Sequence, residues 1–153
     1  LSVENKNENL ALRPANKADS KLLFNWVNEE EVRNNSFNIE PVKWESHVDW
    51  LCKKLESNQC KIFILEKNAI AVGQIRIEEE ETGYWLIDYS IDSNYRGKGY
   101  GSIILEELIH KIHNIQLKGV VKKKNIASQR VFEKLSFKAK KRQDLIEYTL
   151  YTK

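Results

Sequence analysis

Nine residues, NYRGKGYGS at 94–102, constrain this chain more than any other stretch. They hold three glycines and two cations, follow the apolar-rich run YWLIDYSI and precede the helical-looking run IILEELIHKI. A backbone N–H can approach a phosphate only where no side chain intervenes, and the first turn of a helix leaves its N–H groups unpaired with partial positive charge. Strand, glycines and helix in that order make an anion cradle. Gly97, Gly99 and Gly101 allow the close approach, and Arg96 and Lys98 add full positive charge. The same glycines would also serve a plain strand-to-helix turn, and both readings stand at this level. Neither G-x-x-x-x-G-K-S/T nor G-x-G-x-x-G fits, because these glycines fall at alternate positions.

The 153 residues suit one domain that buries a core without disulfide or metal staples. No apolar run approaches the roughly 20 residues that a membrane-spanning helix needs, and no signal-like segment opens the chain, so a cytoplasmic location is expected. Cys52 and Cys60 have no second pair and no nearby His at ligand spacing. They read as core or surface thiols, and no metal site is expected. A net charge of +3 over mixed signs argues against a nucleic-acid stripe, and neither nucleic acid nor membrane is an expected partner. The chain starts at Leu1 and contains no Met, which reads as a module cut from a longer protein. Residues 1–9 form a polar, aperiodic linker or remnant, and 10–153 the domain.

From Leu10, ALRPAN reads as a strand stopped by Pro14, with Asp19 placed to N-cap a helix through LLFNWVN. EEEVRNNSFNIEP reads as loop, and VKWESHVDWLCKKLES as a second helix with Trp44, His47, Val48 and Leu51 near one face. KIFILEK, AIAVGQIRIEEE and YWLIDYSI follow as three strands of a meander. A helix from about Gly101 to His113, a strand near GVVKK, a helix begun by Asn125 and two strands turning around Asp144 complete a mixed α/β layout.

R-x-x-G-x-G at Arg96, Gly99 and Gly101 resembles the acetyl-coenzyme A pyrophosphate loop of the GNAT superfamily of N-acetyltransferases. NIASQRVFEKLSF at 125–137 resembles a second segment of that family, with Asn125, Ser128, Phe132, Glu133, Lys134 and Phe137 matching and Ser136 where glycine is usual. The resemblance implies the GNAT acyl-CoA N-acyltransferase fold, a mixed (α+β) sheet of about seven strands with four helices. It implies acetyl-CoA as cosubstrate, lying where YWLIDYSI and GVVKK splay apart. Ile91 would offer backbone hydrogen bonds to the pantetheine arm, the amides from Arg96 through Gly97, Lys98, Gly99 and Tyr100 to Gly101 would hold the pyrophosphate, and Asn125 would bond the arm. Ser128 belongs to the same matching segment. Phe132 and Lys134 would lie near the thiol and nucleotide ends.

Attack of an amine on a thioester needs a neutral nitrogen, a stabilised oxyanion and a protonated leaving thiol. Phe132 stands where many relatives carry a tyrosine acid, and Val120 where the protein N-terminal enzymes carry a glutamate base. Asp88, on the cleft strand, and His47, on the second helix, are the candidate bases; each also has a purely structural reading. Trp26, Asn28, Arg33, Ser36, His47 and Trp50 resemble the pattern of acetyltransferases acting on nucleotide-activated amino sugars, such as those of the pseudaminic-acid pathway. That resemblance assigns Arg33, Ser36 and His47 to the acceptor, with Arg33 able to clamp a diphosphate or to pair with Glu29 or Glu30. The expected acceptor is a UDP-linked 4-amino-deoxy sugar of bacterial surface-glycan synthesis, with a nucleotide-sugar hydrolase as possible fused neighbour. Protein N-terminal, polyamine and aminoglycoside acetylation are the alternatives within the family. A non-catalytic coenzyme A sensor is the alternative outside enzymology.

Overall fold

The computed structural model describes residues 9–153. The linker reading of residues 1–9 therefore lies, Asn9 apart, outside the described residues. Strands β1 (Leu10–Pro14), β2 (Cys60–Lys67), β3 (Ile70–Glu79), β4 (Tyr84–Ile91), β5 (Gln116–Lys122), β6 (Lys138–Lys141) and β7 (Leu145–Tyr151) form one sheet in the order β1-β2-β3-β4-β5-β7-β6. Every neighbouring pair is antiparallel except β4 and β5, which run parallel. The described helices are α1 (Ser20–Val27), α2 (Glu30–Asn35), α3 (Trp44–Glu56), α4 (Tyr100–Lys111) and α5 (Ile126–Lys134), with short 3-10 turns at Lys17–Asp19 and Ser93–Tyr95. None is long and apolar enough to cross a membrane.

Alternation along β2 shows how the layers are built, because successive side chains leave a strand on opposite faces. Phe63 and Leu65 join the larger core, with Ile75, Ile77, Leu105 and Leu108, while Ile62 and Ile64 join Leu23, Trp26 and Leu51 on the other face. The sheet is thus sandwiched, with α4 and α5 below and α1 and α3 above.

Two expectations change in detail. The stretch read as loop after α1 contains the six-residue helix α2, whose first turn carries Glu30 and Glu31 and whose last carries Arg33, the arrangement the helix dipole favours. Asp19 does precede α1 but makes no side-chain cap to it. Its carboxylate instead closes a capping box with Asn16 and accepts two hydrogen bonds from Arg13, at 2.9 and 2.8 Å. Those bonds hold the Asp19 carboxyl below its ordinary range. Cys52 and Cys60 are both free thiols.

Candidate active site

The parallel ladder of β4 and β5 is short. It pairs Tyr84 with Gln116, Trp85 with Leu117 and Leu86 with Lys118, and then the strands part although β4 continues to Ile91 and β5 to Lys122. Their outer edges stay paired all the way, Ile91 to Gly73 of β3 and Lys122 to Leu145 of β7. The parting is therefore a wedge held open from both sides, with backbone groups facing it that have no ladder partner. Two cavities open on it, of about 490 and 650 Å³. They share Val32, Ser36, Asp88, Tyr89, Ser90 and Val120 among their walls, so a ligand in one meets a ligand in the other at the wedge.

The smaller cavity gathers Ile91, Arg96, Gly97, Gly99, Tyr100, Gly101, Asn125, Ser128 and Phe132, most of the residues assigned to the cofactor. Gly97 and Gly99 have φ of +74° and +89°, a region L side chains rarely adopt, and a β-carbon on either would face open space. Gly99 is also the residue that caps α4, whose opening N–H groups have no acceptor within the helix. These observations fit a diphosphate-bearing cosubstrate. Arg96 reaches the site already engaged, at 2.7 Å to Glu29 and 2.8 Å to Glu31. Lys98 lies outside the lining, its ammonium 3.4 Å from the Asn94 carbonyl. Asn125 caps α5 by accepting from the Ser128 N–H, which leaves its amide NH₂ for the cleft. Lys134, exposed at the far end of α5, lines neither cavity.

The larger cavity brings together Arg33, Ser36, His47 and Asp88 with Leu23, Trp26, Trp50 and Phe37. Arg33 donates to the carbonyls of Val27, Asn38 and Glu40 at 2.7–2.9 Å and to Ser36 Oγ at 3.3 Å. Its guanidinium thus ties the end of α1 to the loop that walls the cavity, and its pairing partner is neither Glu29 nor Glu30. Asp88 is more than half exposed and held by Gln74 Nε2 at 3.2 Å, with Arg76 3.8 Å away. His47 is buried between Trp44 and Trp50, and its Nε2 lies 3.0 Å from the Ser20 carbonyl. A carbonyl only accepts, so Nε2 carries the proton and Nδ1 the lone pair.

Burial pushes the His47 pKa below the ordinary 6.5. The unfolded chain therefore takes up a proton near pH 6.5 that the folded one refuses until lower pH, so stability falls as the pH drops through that interval. Wild-type melting temperature is expected to decline between pH 7 and 5 more steeply than that of His47→Gln. Parallel curves in a thermal-shift titration would contradict this.

A family model described as an acetyltransferase (GNAT) domain matches residues 9–138. The chain belongs to this family. It is accordingly an acetyl-CoA-dependent N-acetyltransferase, with acetyl-CoA as cosubstrate. No curated protein matches it by sequence. Solved structures do match. Spermidine N-acetyltransferase from Vibrio cholerae, in complex with CoA and spermine, superposes with a TM-score of 0.84 at 16% identity over 94% of this chain and 96% of that one. An N-acetyltransferase from Staphylococcus aureus Mu50 gives 0.78 at 22% identity, over 95% and 100%. AAC(6')-Ib in complex with ribostamycin and coenzyme A gives 0.79 at 16% identity, over 95% and 94%.

Two features of the GNAT site escape sequence reasoning. Tyr89 alternates with Ile87 and Ile91 and so reads as core, yet it lines both cavities. Its phenol meets Ser128 Oγ at 2.7 Å, across 39 positions of chain, a contact that no local pattern announces. Arg96 likewise finds Glu29 and Glu31 only because α2 folds against the glycine loop.

Proposed function

We propose that this GNAT domain acetylates a small-molecule primary amine carried on a sugar ring. The parting of β4 and β5 carries the reading, because it puts a glycine cradle at one mouth and a walled acceptor cavity at the other. The larger cavity offers one carboxylate, Asp88, among its lining side chains, with Trp26, Trp50 and Phe37 as flat apolar walls. A polyamine with several ammonium groups calls for several carboxylates, whereas an amino sugar needs one anion and a plane for its C–H face. Two of the solved neighbours bind spermine and ribostamycin, which each carry several amines, so a single carboxylate favours a sugar with one amine over either. A UDP-linked 4-amino-deoxy sugar belongs to the favoured class, and to clamp its diphosphate Arg33 would have to release backbone carbonyls.

In this scheme Asp88 attracts the ammonium and takes up the proton that the nitrogen must lose, helped by the lower basicity of a sugar amine. His47, fixed between tryptophans, sets the wall behind the acceptor. Unpaired backbone N–H groups along the wedge are placed to meet the developing oxyanion. The acetyl thioester supplies an activated acyl group with a fair leaving group.

Thiol release should be measured with acetyl-CoA and a panel of an aminoglycoside, a UDP-4-amino sugar, spermidine and a peptide N-terminus. Turnover greatest on the UDP-4-amino sugar is the expected result. Preference for the aminoglycoside, spermidine or the peptide would replace the acceptor class. Tight coenzyme A binding with no turnover on any amine would favour a sensor.

A further inference from the structure

Phe132 fills the place where many relatives keep a proton donor, and its surroundings show why a hydroxyl is absent. Its ring stacks on Tyr148 at 5.0 Å with 9° between planes and packs edge-on against Phe137 at 5.0 Å. Its para carbon, the one that would bear a hydroxyl, presses on Gly119 of β5, and even a β-carbon there would come within 2.6 Å of the ring.

At the wedge the two cavities share few groups with a transferable proton. Asp88 is already the group assigned to receive the amine's proton. Ser36 already donates to the Val32 carbonyl at 2.6 Å, and Ser90 accepts from Gln74 at 3.2 Å. Alkyl hydroxyls are in any case too weakly acidic to protonate a thiolate. Tyr89 remains. A phenol is far more acidic than an alkyl hydroxyl and is the group at the wedge able to pass a proton to a thiolate.

Its placement suits the task. The Tyr89 ring lies 6.2 Å from that of Phe132 and seats against Gly101, where a β-carbon would stand 3.5 Å from the ring and 3.8 Å from the phenol oxygen. Ser128 Oγ, 2.7 Å away, can donate to that oxygen and so turn the phenol proton toward the cleft. Burial raises the phenol's pKa and keeps it protonated at neutral pH. The hydrogen bond from Ser128 of α5 opposes this and Asp88 on its own strand adds to it, while Gly101 of α4 and Phe132 of α5 face the phenol without charge.

We propose that Tyr89 is the acid that protonates the departing coenzyme A thiolate, in place of the hydroxyl that Phe132 lacks. The inference rests on the acetyl-transfer reading above. The amine nitrogen bonds to the acyl carbon, the C–S bond breaks with its electron pair passing to sulfur, and the phenol proton moves to that sulfur. The ammonium first passes one proton through Asp88 to solvent, and the nitrogen sheds its second proton by the same route as the amide forms. The phenolate recovers one from solvent, which leaves the protein unchanged.

The test takes an amine that the wild type acetylates and compares Tyr89→Phe. The expected result is a kcat lower by roughly a hundredfold or more, with the KM for acetyl-CoA, the coenzyme A dissociation constant and the melting temperature nearly unchanged. Incorporating 3-fluorotyrosine at position 89, which retains the hydroxyl and acidifies it, should move the alkaline limb of the kcat profile to lower pH. A kcat within twofold of wild type, an unmoved limb, or a loss confined to coenzyme A affinity would overturn the assignment. A wild type that turns over no amine would instead sink acetyl transfer itself, and the two failures are distinguished by that first measurement.

Discussion

Gly99→Val is expected to raise the coenzyme A dissociation constant at least tenfold, a loss of about 1.4 kcal/mol in binding, while the protein stays folded. Gly99 sits at φ +89° directly before α4, and a β-carbon there meets nothing within 4 Å. The added side chain would therefore project into the space from which a diphosphate reaches the opening N–H groups of the helix. Holding a β-branched residue in the left-handed region costs about 1–2 kcal/mol more, which is bearable for a well-packed fold. Calorimetric titration with coenzyme A, alongside a melting curve, separates the two contributions. Unchanged affinity in a folded variant would remove the diphosphate from this loop.

Gly119→Val is expected to destabilise the fold rather than the complex. Gly119 lies on β5 opposite Phe132, and a β-carbon there would fall 2.6 Å from Cε1 of the ring. Phe132 is almost wholly buried and has Tyr148 and Phe137 against it, so it cannot retreat. Overpacking of this kind costs about 1–3 kcal/mol and occasionally more, which at this chain length lowers the melting temperature by about 2–4 °C per kcal/mol. Combining the substitution with Phe132→Leu should recover part of the loss, since the pair is in direct contact. Equal melting temperatures for wild type and Gly119→Val would show that this contact does not exist.

The two glycines mark the boundary between what was legible in the chain and what was not. Gly99 announces itself, because alternate glycines with cations between a strand and a helix have few physical uses. Gly119 carries no such signal, since a lone glycine in a short strand reads the same whether it faces solvent or an aromatic ring. The acceptor side divides in the same way. His47 and Leu51 can be placed on one helix face by spacing, but nothing local shows that the His47 Nε2 proton is committed to Ser20 or that Arg33 spends its donors on backbone carbonyls.

By itself, the order of apolar, glycine-rich and amphipathic segments determined the mixed α/β layout and the meander, because periodicity and backbone freedom are local properties of a chain, while two motifs carried the resemblance to the family. Only the tertiary structure decided where β4 and β5 part, which carboxylates neutralise Arg96 and which hydroxyl stands beside the wedge. Those depend on contacts between residues dozens of positions apart, and such distances are set by packing rather than by spacing along the backbone.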